Sequence, residues 1–284
     1  MKTFQRRKFK DEHGVEFSVC GDSTVLTRMP KDFIGAYHVP DFVSSIGLCA
    51  INGCNELTSL VIPKSVTVIE KDNFELCEQL ASLVVEQGNP MFDSRENCNA
   101  IIVTATDTLV HGCNGSTIPD SVEVIADYAF SQRRNLSCIS IPDSVVYIGE
   151  FAFLCCFSLG SNISLQGIRQ VTRCCFDGCS RIKKVEIGKG IKSIESSAFA
   201  GCTMLSELEI GEGTKCIGSW AFADCNNLAS VALPESLERI EPTAFDRCNR
   251  IERIIIPQGS TEHFMRFDAL KQYRHRFLGK KRTN

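Results

Sequence analysis

One residue recurs at a fixed interval along most of this chain. Phe74 follows Ile51 by 23 residues, and the same step separates six further phenylalanines: Phe130, Phe153, Phe176, Phe199, Phe222 and Phe245. A period of this size predicts stacked structural repeats, because each unit is too small to bury its apolar faces without neighbours.

The rest of each unit keeps the register of the phenylalanine. The unit that starts at Val145 reads Val-x-x-Ile, then Ala-Phe-x-x-Cys-x-x-Leu, then two aliphatic residues two apart. Besides Ile51 at the phenylalanine slot, three positions depart from this pattern: Asn73 replaces the small residue, Arg133 the cysteine and Thr214 the first aliphatic residue. Eight units share the register, and they begin at Val43, Val66, Val122, Val145, Ile168, Ile191, Thr214 and Leu237.

The pattern within a unit predicts its local structure. Aliphatic residues two apart predict a strand with one buried face, and strands from successive units form a parallel sheet. The short Val-x-x-Ile predicts a second extended segment, and Ala-Phe-x-x-Cys-x-x-Leu predicts a helical or 3₁₀ turn. The predicted strands are Leu57–Ile62, Leu80–Val85, Leu136–Ile141, Ile182–Ile187, Leu205–Ile210, Leu228–Leu233 and Ile251–Ile256.

The repeat is interrupted once and is flanked by two different ends. The step from Phe74 to Phe130 is one period plus 33 residues, and the inserted stretch predicts a protruding β-hairpin around Thr106 and Asp107. At the start of the chain, two short strands around Gly21 and Asp22 predict a hairpin that caps the first repeat.

Beyond Ser260, a candidate N-cap, apolar residues at steps of three and four predict an amphipathic helix. This helix would cap the last repeat, and a partner-binding helix is the alternative. Because the repeats share one core, they predict a single elongated domain. Its segments are a basic tail at 1–13, a hairpin cap at 14–40, two repeats at 41–87, the hairpin insert at 88–118, six repeats at 119–259, the capping helix at 260–278 and a basic tail at 279–284.

Composition narrows the class of partner. The chain has 284 residues and a formal net charge of −3, and it lacks an apolar run long enough to span a bilayer. We therefore expect a protein partner, no nucleic acid and no membrane insertion. The basic residues at both ends of the chain leave nucleic-acid binding as an alternative, after a protein-binding module and an enzyme. The basic start lacks the apolar stretch of a signal peptide, which predicts a cytoplasmic location.

The sixteen cysteines are numerous, but their placement favours packing over chemistry. Cysteines in one slot of successive repeats lie side by side with parallel side chains, at a spacing that suits neither a disulfide nor a convergent metal site. The chain has no Cys-x-x-Cys pair, and its five histidines are scattered. We expect free, buried thiols, no cofactor and no metal site.

The repeat units resemble the BspA-like leucine-rich repeat family. The units that carry the resemblance include IPDSVEVIADYAFSQRRNL, IPDSVVYIGEFAFLCCFSL, IKSIESSAFAGCTML and LPESLERIEPTAFDRCNRI. The insert NPMFDSRENCNAII and the closing IIIPQGSTEHFMRF also look like parts of that family. The resemblance implies a right-handed leucine-rich-repeat solenoid and a non-enzymatic binding scaffold. Several family members are adhesive surface proteins, so a cell-surface or secreted location is the alternative to the cytoplasm.

Two groups of outward-facing residues are candidates for partner binding. The first lies on the predicted sheet and comprises Lys184, Glu186, Glu207, Glu209 and Arg253; its three glutamates form an acidic patch that suits a basic partner. The second comprises the aromatic residues before the Ala-Phe pair: Tyr128, Phe151 and Trp220. Tyr128 and Phe151 belong to adjacent repeats and are expected to stack.

An enzyme that uses a cysteine nucleophile or a metal is the alternative function. It requires a base within reach of an activated thiol, yet no histidine occurs at the cysteine slot of the repeats. The sequence also lacks a phosphate-binding glycine loop and a His-Glu-x-x-His motif. We therefore expect a non-enzymatic protein, with no catalytic residue assigned.

Overall fold

The computed structural model describes residues 7–160 and 162–280, with no side chain described for Lys280. The chain divides into two compact units, unit 1 at Met1–Pro119 and unit 2 at Asp120–Asn284. The sequence predicts a single elongated domain, and this expectation differs from the observed division. The boundary follows the inserted stretch, where the 23-residue period is broken.

Unit 1 contains a sheet that begins antiparallel and continues parallel, with strand order β1-β2-β3-β5-β7, and a parallel sheet β4-β6-β8. Its core contains Phe17, Ile51, Phe74 and Leu83. A 3₁₀ turn covers Arg95–Asn97. The strands are β1 Arg7–Lys10, β2 Glu16–Cys20, β3 Ser23–Arg28, β4 Gly35–His38, β5 Ser45–Ile46, β6 Leu57–Ile62, β7 Val68–Ile69, β8 Ser82–Val85, β9 Phe92–Asp93, β10 Ala100–Val103 and β11 Thr108–Gly112.

Unit 2 carries a six-stranded parallel sheet, β14-β16-β18-β20-β22-β23, and a second parallel sheet of two-residue strands, β15-β17-β19-β21. Strands β12 and β13 form a further parallel pair. The elements are β12 Val124–Ile125, β13 Tyr147–Ile148, β14 Ile163–Leu165, β15 Gln170–Val171, β16 Lys184–Ile187, β17 Ser193–Ile194, β18 Glu207–Ile210, β19 Cys216–Ile217, β20 Ser230–Ala232, β21 Arg239–Ile240, β22 Arg253–Pro257, helix α1 Thr261–Met265, a 3₁₀ helix at Asp268–Arg276 and β23 Phe277–Lys280.

The predicted solenoid of parallel coils is confirmed. Equivalent residues one period apart are ladder partners, as in Val185, Leu208 and Val231. The Phe column of unit 2 is buried, and neighbouring rings stack with centroids 4.9 to 5.5 Å apart and nearly parallel planes. This separation is close to the strand spacing of a sheet, so the coil repeat sets the distance between the rings.

The segment Ala-Phe-x-x-Cys, predicted as a helical or 3₁₀ turn, forms two consecutive tight turns. In the coil of Phe153, Leu154 N–H donates to Phe151 O (3.1 Å) and Cys156 N–H to Phe153 O (3.3 Å). Phe153 N–H instead donates to Cys175 O of the next coil, at 2.8 Å. The backbone of Phe151 and Cys155 is left-handed. Every second amide of this segment therefore donates a hydrogen bond to the next coil. In a helix these amides would donate within the segment instead.

The predicted strand at Leu136–Ile141 is not assigned, whereas the other predicted strands are present, five of them with shorter or shifted bounds. The following coil has one extra residue between Leu159 and Ile163, and this displaces its strand relative to Leu136–Ile141. The two segments are joined by Gly160 N–H donating to Ser137 O at 3.0 Å. A one-residue offset reverses which side chains face the core and so opposes a regular ladder.

The N-terminal prediction is correct for the hairpin and wrong for part of the tail. Strands β2 and β3 pair antiparallel around Gly21, as expected. Arg7–Lys10, predicted as a solvated tail, forms β1 and pairs with β2. The Phe9 ring stacks on Phe17 at 5.1 Å, and Lys10 pairs with Glu16 at 3.0 Å. Residues 1–6 of the predicted tail lie outside the described part.

The insert forms the predicted hairpin, but it packs on unit 1 instead of protruding. Strands β10 and β11 pair antiparallel from Ala100–Gly112 to Val103–Thr108. Ile101 and Ile102 are fully buried, and Ile101 belongs to the core of unit 1. Their apolar side chains explain the packing, because an exposed hairpin would leave them in water.

The C-terminal cap is helical but broken. Helix α1 ends at Met265, and the extended backbone of Phe267 (φ −83°, ψ 118°) separates it from the 3₁₀ helix. Phe277–Lys280 then pairs with β22, so the predicted continuous helix and the start of the predicted tail at residue 279 are wrong. This strand supplies partners for the open backbone edge of β22. Residues 281–284 lie outside the described part.

Candidate binding surface

The five charged candidates share one face of the main sheet of unit 2. Ladder pairing places Lys184 beside Glu207, and Glu186 beside Glu209. Pairing then continues through Ser230 of β20 to Arg253 of β22. The alternating residues, such as Val185 and Leu208, are buried, so the charged side chains point outward because side chains alternate across a strand.

Small residues leave a shallow depression on this sheet face. Ser230 and Ala232 stand between the glutamates of β18 and the long side chains of β22. The depression has a volume of about 240 Å³, and Lys184, Glu207 and Glu209 also line it. This surface can receive one or a few side chains of a partner.

Two carboxylates, of Glu207 and Glu209, and two cations, Lys184 and Arg253, line the depression. Lys184 Nζ lies 2.5 Å from Glu186 Oε1, so this cation is already matched within its own strand. The pKa of Lys184 is raised, first by the hydrogen bond and charge of Glu186 and also by Glu207 and Glu209. Glu207 and Glu209 are exposed on β18. They are the available carboxylates for a basic group of a partner.

The predicted stacking of Tyr128 and Phe151 is confirmed. Their rings lie 4.9 Å apart at an interplanar angle of 8°. The Arg173 guanidinium lies 4.8 Å from the Phe151 ring centroid and 2.6 Å from Glu150, whose hydrogen bond raises the pKa of Arg173. Trp220 is 49% exposed. It does not join this pair, since Cys174 and Ser197 occupy the same slot in the two coils between them.

The exposed aromatic side chains share an unusual backbone conformation. Tyr128, Phe151 and Trp220 have φ values between 55° and 59°. Left-handed backbone costs a non-glycine residue about 1 kcal/mol or more and can mark a functional site. Here Cys174 and Ser197 adopt the same conformation at the same slot. The strain therefore belongs to the coil architecture and is no separate sign of function.

The cysteine column has a structural role that the sequence does not predict. In five successive coils the cysteine Sγ donates to the backbone carbonyl of the phenylalanine in the preceding coil. The bonds are Cys156 to Phe130 (3.1 Å), Cys179 to Phe153 (3.1 Å), Cys202 to Phe176 (3.4 Å), Cys225 to Phe199 (3.3 Å) and Cys248 to Phe222 (3.0 Å). The thiol is thus a small apolar side chain that also caps a buried carbonyl.

Burial makes these thiols poor nucleophiles. None of the sixteen cysteines forms a disulfide, and desolvation raises the pKa of Cys179, Cys202 and Cys225 well above the usual value. In unit 1, burial raises the pKa of Cys54 to about 12. A reactive cysteine requires a stabilised thiolate. The column therefore offers no support for the alternative of a cysteine enzyme.

One group of possible metal ligands was missed by the sequence analysis. His38, Asp41 and Glu86 of unit 1 each present a donor atom, and these atoms lie within 4.8 Å of one another. The spacing of cysteine and histidine along the chain does not reveal this group. The available signal was the repeat, because residues 40, 63 and 86 are one period apart and stacking brings the residues around them together.

None of the helices in the described ranges is long and apolar enough to cross a membrane.

The sequence profile of the BspA type leucine-rich repeat region matches this chain in six copies, over residues 34–106, 111–187 and 169–266. A leucine-rich repeat protein from Eubacterium ventriosum has a similar fold, with a TM-score of 0.54 at 18% identity over 86% of this chain and 95% of that protein. The pneumococcal vaccine antigen PcpA gives a TM-score of 0.67 at 17% identity over 89% of this chain and 68% of that chain. No curated protein matches the sequence.

Proposed function

The chain belongs to the BspA-type leucine-rich repeat family, and on this premise we propose that it is a non-enzymatic scaffold that binds a protein through the main sheet of unit 2. The observation that carries the proposal is the register of β16, β18, β20 and β22. It brings charged candidates from separate repeats onto one face around a depression.

A repeat scaffold separates stability from recognition. The inward residues of these strands are apolar and buried in every coil, whereas the outward residues differ from coil to coil. Substitutions on the outward face therefore leave the core unchanged, and the fold tolerates a surface fitted to a particular partner.

The charge of this surface favours a basic partner segment. Glu207 and Glu209 project from one strand beside Ser230 and Ala232. Lys184 is matched by Glu186. A lysine or arginine side chain of the partner fits the depression with its cationic group against these carboxylates, and its orientation is selected by charge complementarity.

The compartment of the protein decides which class of partner it meets. At the cell surface the scaffold acts in adhesion, and in the cytoplasm it binds an intracellular protein. Surface biotinylation of intact source cells, with a cytoplasmic enzyme as the control, distinguishes the two locations.

Site-specific photo-crosslinking tests the proposed face. A photoreactive amino acid replaces Ser230 on the main sheet or, as a matched control, Ser193 on the second sheet; both serines are half-buried residues of parallel strands. We expect a discrete adduct from position 230 and none from position 193. A third probe at Tyr128 tests the aromatic pair, and an adduct from that position alone would assign binding to the aromatic surface and reject the sheet face.

A further inference from the structure

We propose that His38, Asp41 and Glu86 form a binding site for a divalent transition-metal ion such as Zn²⁺. The site lies within unit 1 and is independent of the partner surface of unit 2. Its donors are one imidazole nitrogen and two carboxylate oxygens, all within 4.8 Å of one another.

The fold places these residues together although they are distant in sequence. His38 ends β4, and Glu86 directly follows β8; both strands pair in parallel with the intervening β6. The backbone is fixed on both sides, because Val39 N–H donates to Val61 O (3.0 Å) and Glu86 N–H to Ile62 O (2.9 Å). The His38 and Glu86 side chains then meet across β6.

The observed distances are compatible with a metal ion. Zinc binds histidine nitrogen and carboxylate oxygen at about 2.0 to 2.2 Å, which places two tetrahedral ligand atoms roughly 3.4 Å apart. His38 Nε2 and Glu86 Oε1 are already 3.2 Å apart. Asp41 is exposed and lies in the segment that follows β4. Its carboxylate oxygen lies within 4.8 Å of the other two donor atoms.

Neighbouring groups orient the glutamate and define the competing charge. Glu86 Oε2 accepts a hydrogen bond from Lys64 N–H at 3.3 Å, which leaves Oε1 directed at His38. Such outer contacts orient metal ligands. Lys64 also brings a positive charge to this part of unit 1, with the aliphatic stem of its side chain near Gly88.

The donor set indicates the class of metal. A mixed nitrogen and oxygen set suits Zn²⁺ or Co²⁺ better than Mg²⁺ or Ca²⁺, which prefer oxygen ligands alone. Three protein donors leave a fourth position for water or for a donor from another molecule. The His38 side chain is 57% exposed and that of Glu86 is 30% exposed, so the ion has direct access from solvent.

Calorimetric titration with Zn²⁺ on the reduced full chain, after chelator treatment, tests the site. We expect one equivalent to bind, with affinity at least about tenfold lower in His38→Ala and in Glu86→Gln, because each change removes a ligand. His13→Ala is the matched control: His13 is similarly exposed and lies 3.7 Å from Glu12, but it belongs to no group of three ligands among the described residues. Equal affinity in His38→Ala and His13→Ala would overturn the proposal.

Cobalt spectroscopy separates this site from the sixteen thiols. Co²⁺ bound by imidazole and carboxylate gives weak d–d bands, whereas thiolate ligands add an intense charge-transfer band. We expect d–d bands that His38→Ala abolishes while its circular dichroism and melting temperature stay those of the wild type. A charge-transfer band at the first equivalent, unchanged in His38→Ala, would assign the ion to cysteine and reject the site.

Discussion

Replacing Phe199 by alanine tests whether stability depends on contacts between coils. The Phe199 ring is fully buried and lies between two others, 5.2 Å from Phe176 and 5.5 Å from Phe222. The ring of Phe245 is equally buried, but in the stacked column it has one neighbour, Phe222, at 5.5 Å. The two phenylalanines thus differ in the number of ring contacts and hardly at all in burial.

The expected magnitudes follow from this geometry. Replacing a buried phenylalanine with alanine lowers the free energy of unfolding by about 3 to 5 kcal/mol, and each stacked ring pair contributes roughly 0.5 to 1.5 kcal/mol. We therefore expect a loss near the upper limit, about 5 kcal/mol, for Phe199→Ala and about 1 kcal/mol less for Phe245→Ala. With a urea slope of about 2 kcal/mol per M, the two midpoints differ by roughly 0.5 M.

Urea titration followed by tryptophan fluorescence measures this difference. Trp220 is the single tryptophan of the chain and lies two residues before Phe222, so its emission reports on unit 2. The slopes of the two variants must agree for the midpoints to be compared. Equal midpoints, or a larger loss at Phe245, would refute the claim that each coil is stabilised by both of its neighbours.

Two further predictions concern the cysteines. Cys202→Ala removes a buried thiol and one of two donors to the Phe176 carbonyl, which keeps the bond from Cys179 N–H. We therefore expect a loss of about 1 to 2 kcal/mol by urea titration; the exposed Cys138→Ala should be neutral, and equal effects would contradict the role of the column. Because burial raises the pKa of Cys54 to about 12 and that of Cys202 above its usual value, the unfolded chain loses these protons first. The contribution of these thiols to stability is therefore constant below about pH 8.5 and falls above it. Thermal melts from pH 7 to 10 check this, and a stability that rises over that range would be the contrary result.

The period of the sequence is sufficient to predict the repeated core. A 23-residue register assigns the same slot to Phe153, Phe176 and Phe199, and the structure stacks their rings. The strand faces and the cysteine column follow from the same register. These features depend on spacing and polarity, which one sequence displays directly.

The turns and the two ends are not determined by spacing. A helix and two consecutive tight turns both bury Ala152, Phe153 and Cys156, and the choice depends on amide bonds to the next coil. Likewise, the sequence predicts a basic tail at Arg7–Lys10, and at Phe277–Lys280 the end of a helix followed by a basic tail. Both segments instead pair with strands whose edges are otherwise open. Whether such a segment forms a strand depends on which strand edge lies beside it in the folded chain, and residue spacing does not show this.

In the candidate sites, too, some features follow from residue spacing and others do not. Register places Lys184 beside Glu207, as the sequence predicts, and separates Trp220 from Phe151 by two coils. His38 ends β4 and Glu86 follows β8, and the two strands are separated by β6. The two residues come together because both side chains reach across this intervening strand. Side-chain reach across an intervening strand is not visible in a linear pattern.

The most direct test of the proposed function is the affinity of the crosslinked partner for chains with altered charge. Glu207→Gln with Glu209→Gln removes two carboxylates from the sheet face, and Glu123→Gln with Asp143→Asn removes the same charge from other exposed positions of unit 2. At low salt we expect Kd to rise at least about tenfold for the first pair alone, with a weaker salt dependence, because the contact with the basic segment is lost. An unchanged Kd, or equal effects of both pairs, would contradict recognition by this face.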